Sequence, residues 1–200
     1  MNKGFGNNFN KKNNGQNKNF LVEDIELSAQ TKKAIFLARE GKLLESAKIY
    51  NELIYKGKFN HLTFHRLAGV YERLGKRKEA FQCLQKAINV KKNYAEAYCD
   101  IGRYLLDAKE IKSALNCYAK ALEYKPNLFG AYINIGNIYQ KLGNLLEAMK
   151  YFQKSLEINN KIPITFYNIG TIYTIEKNFI DAERNYKRAL ECDKNFNLAK

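Results

Sequence analysis

The chain repeats itself every 34 residues, and this period constrains the fold more than any local signal, because a repeated unit buries its apolar face against its own copies. Copies 61–94, 95–128, 129–162 and 163–196 align without a gap. The fourth residue of each is aromatic (Phe64, Tyr98, Tyr132, Phe166), the seventh aliphatic (Leu67, Ile101, Ile135, Ile169) and the eighth small (Ala68, Gly102, Gly136, Gly170). The eleventh is Tyr71, Leu105, Tyr139 or Tyr173, and the twentieth is always alanine (Ala80, Ala114, Ala148, Ala182). The twenty-fourth is large (Leu84, Tyr118, Phe152, Tyr186), the twenty-seventh small (Ala87, Ala121, Ser155, Ala189), and Pro126 closes one copy. A looser copy, 27–60, comes first, with Ala34, Leu37, Gly41, Ser46, Tyr50 and Leu53 in register. There Gln30 and Lys33 replace the aromatic and aliphatic residues, as a capping unit with a polar outer face would.

These spacings resemble the tetratricopeptide repeat, a pair of antiparallel helices, over 170 of the 200 residues. The resemblance implies an all-α fold, a right-handed superhelical solenoid of antiparallel helix pairs spanning 21–196. Helix A of each unit would cover about its first fourteen positions and helix B roughly positions 17 to 31. Gly75 and Gly143 occupy the sharp turn between them, and Lys109 and Lys177 stand there in two copies. Asn93 and Asn127, just ahead of a new helix A, are expected as N-caps, and a first helix is expected over Leu21–Glu40. Residues 197–200 begin an incomplete sixth copy. The last helix, Phe179 to Glu191, is accordingly expected to leave parts of Ile180, Ala182, Tyr186, Ala189 and Leu190 open to water, so that the chain continues into a longer protein or self-associates at that end.

The first twenty residues hold eight asparagines, three glycines, four lysines and no acid, a composition that reads as a disordered tail. They lack the apolar run of a signal peptide, and no later run reaches the length of a membrane span. A soluble, cytoplasmic protein with no membrane partner is the expectation. The net charge of +14 invites polyanions, yet lysine outnumbers arginine 27 to 7 and the cations are scattered, which reads against nucleic acid. Cys83, Cys99, Cys117 and Cys192 form no CxxC pair and read as small buried apolar groups. His61 and His65, with Cys99 one repeat on, are too few for zinc, so no metal or cofactor is expected.

Nothing in the chain combines a nucleophile with a base, a glycine-rich phosphate loop or paired carboxylates, so it reads as no enzyme. Function is expected on the positions that the scaffold leaves open. By the resemblance, positions two, five, six, nine, twelve and thirteen of helix A line a concave groove. They give Lys32 and Arg39 in the first copy, His65, Arg66 and Arg73 in the second, Cys99, Asp100 and Arg103 in the third, then Asn134, Asn137 and Gln140, then Tyr167, Asn168, Thr171 and Thr174. The candidate groove residues are Lys32, Arg66, Arg73, Arg103, Asn134, Asn137, Asn168 and Thr171, with Asn134 and Asn168 expected to be satisfied by solvent until a ligand arrives. Asparagine at position six of consecutive repeats resembles the ladder in the repeat arm of O-linked N-acetylglucosamine transferases, which implies a protein or extended peptide held by its backbone. The carboxylate clamp of chaperone-binding repeats is not matched: Asn137 and Asn168 fit two of its places, but Ile133 stands where lysine is required. The leading reading is a protein- or peptide-binding scaffold. The opening Met1–Gly6 resembles short tails that precede such repeats in larger bacterial transferases and hydroxylases, which makes a substrate-recruiting arm of a longer enzyme the alternative.

Overall fold

The computed structural model describes residues 29–197. The expectations for the tail, for the start of the first helix at 21–28 and for the last three residues fall outside them. Among the described residues the chain is helix and turn with no strand. In order the helices are α1 (29–39), α2 (Leu43–Tyr55), α3 (His61–Arg73), α4 (Arg77–Val90), α5 (Ala95–Asp107), α6 (Ile111–Tyr124), α7 (Phe129–Lys141), α8 (Leu145–Ile158), α9 (Pro163–Ile175) and α10 (Phe179–Cys192). They fall into two compact units, one ending at Ala80 and the other starting at Phe81, so α4 gives its first turn to one and the remainder to the other.

The turn between paired helices needs a left-handed residue, and the sequence supplies one every time. Gly41, Gly75 and Gly143 have φ between 73° and 79°, and Lys109 and Lys177 adopt φ of 65° and 60° in the same place. Each lysine closes the same hydrogen-bonded cap as the glycines do. Lys109 N donates to the Leu106 carbonyl at 2.9 Å and Glu110 N to that of Leu105 at 2.9 Å, matching Gly143 to Gln140 and Asn144 to Tyr139.

The asparagine caps lie elsewhere than expected. Helices α5 and α7 start one residue later than Asn93 and Asn127 would require, with Tyr94 and Leu128 at the N-cap and no side-chain cap. The capping side chains are Asn60, in a reciprocal box with Thr63, and Asn144 and Asn178, which accept from the amides of Glu147 and Asp181. Asn144 and Asn178 each precede an acid by three residues, which is the capping spacing read one turn further along the repeat.

In the second unit the core is set by close approach within each helix pair. A Cβ placed on Gly102, Gly136 or Gly170 would lie 2.7, 2.6 and 2.6 Å from the nearest ring carbon of Tyr118, Phe152 and Tyr186. Positions eight and twenty-four therefore meet face to face, with the ring lying on bare helix backbone. Tyr118 and Phe152 are fully buried there, with Ala114 and Ala148 packed beside them. Between repeats, Ser155 and Thr165 share a hydrogen bond of 3.2 Å, which satisfies two buried hydroxyls at the α8–α9 contact. In the first unit, Ser46 Oγ donates to the Ala34 carbonyl at 2.7 Å, a tie within the pair between positions twenty and eight.

The last helix departs from the expected pattern of exposure. Ala182 and Ala189 are buried. Ile180 and Phe179 are exposed, and Tyr186 is half-buried where Tyr118 and Phe152 are covered. Exposure at Ile180 is shared with Leu146 at the same register in the preceding copy, so it belongs to the position and not to the end of the array.

The glycine contact yields a direct test. Alanine has the higher helix propensity by about 1 kcal/mol, yet Gly136→Ala forces its methyl into the Phe152 ring, an overpacking worth about 1–3 kcal/mol. Urea denaturation should show Gly136→Ala less stable than the parent, and Phe152→Leu in the same chain should recover most of that loss. A stabilised Gly136→Ala protein would mean that the ring does not rest on this backbone.

Candidate functional site

The residues that face away from helix B on α7 and α9 are tied to one another. Asn168 Nδ2 donates to Asn137 Oδ1 at 2.7 Å, Gln140 Nε2 donates to Thr171 Oγ1 at 2.6 Å, and the Thr171 hydroxyl donates to the Asn168 carbonyl at 2.7 Å. The pairing is diagonal: position six of one repeat meets position nine of the preceding one, and nine meets twelve. Asn168, Asn137 and Thr171 thus form one network, together with Gln140. Asn168 is only 8% exposed, so its amide is satisfied by protein and not by solvent, contrary to the sequence-based expectation. Asn137 and Thr171 are half-buried. The bond uses the oxygen of Asn137 and leaves its NH2 group available on the partly exposed side.

Asn134 stands apart from this network, although it shares position six with Asn168. Its Nδ2 lies 3.7 Å from the Cys99 sulfur on α5. Burial, and then the neighbouring Asp100 carboxylate, push the Cys99 thiol up to about 11, so the group under Asn134 is a neutral thiol at physiological pH. Arg103 lies over the Tyr104 ring, 5.1 Å from its centroid. The fully buried Tyr118 hydroxyl has no hydrogen-bond partner. Its counterpart Tyr186 meets the Thr174 hydroxyl at 3.0 Å, and the residue corresponding to Thr174 in the Tyr118 copy is Leu106. Burial accordingly drives the Tyr118 phenol well above its ordinary range.

The other candidates belong to the first unit. Lys32 and Arg73 are exposed, Arg66 is half-buried, and Arg73 Nη1 donates to the Ala38 carbonyl near the end of α1. Among the described residues no group of three or more histidine, cysteine and acidic side chains could hold a metal ion, and no helix is long and apolar enough to cross a membrane.

The fold that carries these side chains is found in known proteins. The tetratricopeptide repeat family matches residues 60–127 and again 127–195. The chain belongs to that family. No curated protein matches the sequence. Among solved structures, PilF of Pseudomonas aeruginosa superposes with a TM-score of 0.75 at 17% identity, over 86% of this chain and 78% of that one. MamA from Desulfovibrio magneticus, from its residue 41 onward, gives 0.68 at 17% identity over 85% and 96%. The C-terminal part of a repeat-containing protein from Cytophaga hutchinsonii gives 0.66 at 21% identity, over 84% and 67%. At these identities the likeness concerns the fold alone.

The pairing of Asn168 separates two roles that the sequence merges. Asn168→Ala should destabilise the protein by about 1–2 kcal/mol, because a buried hydrogen bond is lost and its partner is left half-satisfied. Asn134→Ala should change stability by less than about 0.5 kcal/mol, since its contact to a thiol is long and weak. Tyr118→Phe removes a buried hydroxyl that bonds to nothing and should leave stability equal or higher. Thermal and urea unfolding of the three variants measure this order directly, and an inverted order would show that the helix-A amides are not paired as described.

Proposed function

We propose that this protein is a non-catalytic scaffold that holds a polypeptide segment against the helix-A side of its repeats. The observation that carries this reading is the Asn137–Asn168 pair. One amide is buried and fixes the orientation of the other, which keeps a donor group on a half-exposed surface. An amide held in that way meets a peptide carbonyl without first losing side-chain freedom, which is how preorganisation contributes to affinity. Thr171 and Gln140 extend the same polar strip by one helical turn. A surface of amides and hydroxyls reads the backbone of a ligand more than its side chains, so a range of sequences in extended form fits it.

A cellulose-bound array of peptides probed with the full chain, followed by titration of the retained sequences, tests the proposal. Asn137→Ala should weaken those peptides by about 0.5–1.5 kcal/mol, a loss of roughly two- to tenfold, with the fold intact by circular dichroism. Retained peptides that bind Asn137→Ala and Asn134→Ala as tightly as the parent would move the binding surface off this face.

A further inference from the structure

The helix-A side of the first unit carries a different chemistry from that of the second. Lys32 and Arg39 on α1 and Arg66 and Arg73 on α3 take positions six and thirteen of two successive copies. On each helix the two cations are seven residues apart, which is about 10 Å along the axis. The same helix-A positions of α3 also hold His65 and the acid Glu72, and Arg66 lies near the Tyr50 phenol, whose ionised form burial opposes and the Arg66 charge favours. The diagonal pairing of α9 with α7, which α7 does not repeat with α5, has no counterpart here. The partner place for Arg66 is Ile35, and the partner place for position nine of α3 is Ala38. Side chains that would neutralise these cations from the neighbouring repeat are thus replaced by apolar ones. Arg73 uses one donor on the Ala38 carbonyl, and a guanidinium has five.

Position nine of α3 is Gly69, between Arg66 and Arg73, where the other copies hold Ile35, Arg103, Asn137 and Thr171. Gly69 is exposed in mid-helix, and a Cβ built on it meets no atom within 4 Å. Unlike Gly102 or Gly136, it makes room for no ring. A glycine there costs the helix about 1 kcal/mol against alanine without a packing reason inside the protein. Bare backbone at such a place lets another chain approach closely. Three residues of extended polypeptide also span about 10 Å, the rise between Arg66 and Arg73.

We propose that the helix-A side of α1 and α3 binds an acidic, extended polypeptide segment, with carboxylates three residues apart at Arg66 and Arg73 and the ligand backbone lying over Gly69. This rests on the scaffold reading above and names the partner class for the first unit. Protein fits better than nucleic acid because the basic register stops at Asp100 in the third copy, and a phosphate backbone would need cations to continue. Residues 1–20 carry four lysines and no acid, which excludes them as the occupant; the chain's own acids Glu23, Asp24 and Glu26 are separated from a second chain by their glutamine variants, which must leave the glutamate peptide bound no more tightly than the parent does.

The test uses the full chain and two labelled twelve-residue peptides in fluorescence anisotropy. One carries glutamate at every third position among glycine and serine, and the other carries glutamine there. The glutamate peptide should bind at least tenfold tighter, and Arg66→Gln should abolish most of that difference, as should Lys32→Gln, which breaks no hydrogen bond among the described residues. Gly69→Ala is the decisive variant: it should raise the melting temperature while weakening the glutamate peptide at least threefold, two effects that a structural role for Gly69 would not combine. Equal binding of the two peptides, or binding of an oligonucleotide of the same charge more tightly than the glutamate peptide, overturns the acidic-segment proposal. If neither peptide binds but the array retains others, the partner class is wrong and the scaffold reading stands. If the array also retains nothing, the scaffold reading itself fails.

Discussion

In the second unit an aromatic ring at position twenty-four lies against the bare helix backbone at position eight, and much of the packing around it follows from this approach. A glycine in the middle of a helix costs about 1 kcal/mol relative to alanine. Burying a phenylalanine side chain returns roughly 1.5–3 kcal/mol, and more when it is fully enclosed, as Phe152 is. The exchange is favourable only if the ring reaches the backbone, which requires the two helices to pack closely. At that separation position twenty has room for a methyl group and little more. Ala114 and Ala148 are wholly buried, and the neighbouring contact between repeats is made by the small hydroxyls of Ser155 and Thr165.

Features fixed by a single backbone position were legible in the sequence. The period locates each turn to the residue, and the physical demand for a left-handed conformation there is met even by Lys109 and Lys177. Features that depend on a one-residue boundary were less legible. Asn93 and Asn127 look like caps because asparagine often is one, but Tyr94 and Leu128 hold the cap positions, and the spacing to an acid three residues on picks out Asn144 and Asn178 instead. Which polar side chains pair across repeats was not legible at all. Asn134 and Asn168 are equivalent by period, yet one rests against a thiol and the other is buried against Asn137. The offset from position six to position nine reflects how far one helix A slides past the next, a tertiary quantity that a linear period does not encode.

An isolated defect has its cause within a single repeat. Tyr118 and Tyr186 place their hydroxyls alike, but only Tyr186 finds a hydroxyl at position twelve of its own helix A, from Thr174; Leu106 offers none to Tyr118. A repeat selected for the ring and not for its oxygen tolerates either, because the apolar burial of the ring outweighs an unsatisfied phenol of about 1–3 kcal/mol.

What distinguishes the two helix-A surfaces is whether the neighbouring copy answers a polar side chain. On α7 and α9 it does, and each such bond contributes about 1 kcal/mol to holding the repeats in register. On α1 and α3 the answering places are Ile35 and Ala38, so the cations meet carbonyl oxygen and solvent. Leaving them so costs little. Two unit charges about 10 Å apart in water repel by roughly 0.4 kcal/mol, and physiological salt screens part of that. An internal ion pair at those positions would gain no more than a typical surface bridge, a median near 0–1 kcal/mol. Stability is therefore nearly indifferent to whether the cations are neutralised from within, whereas recognition is not, since only cations left unanswered by their own array can be answered by another chain.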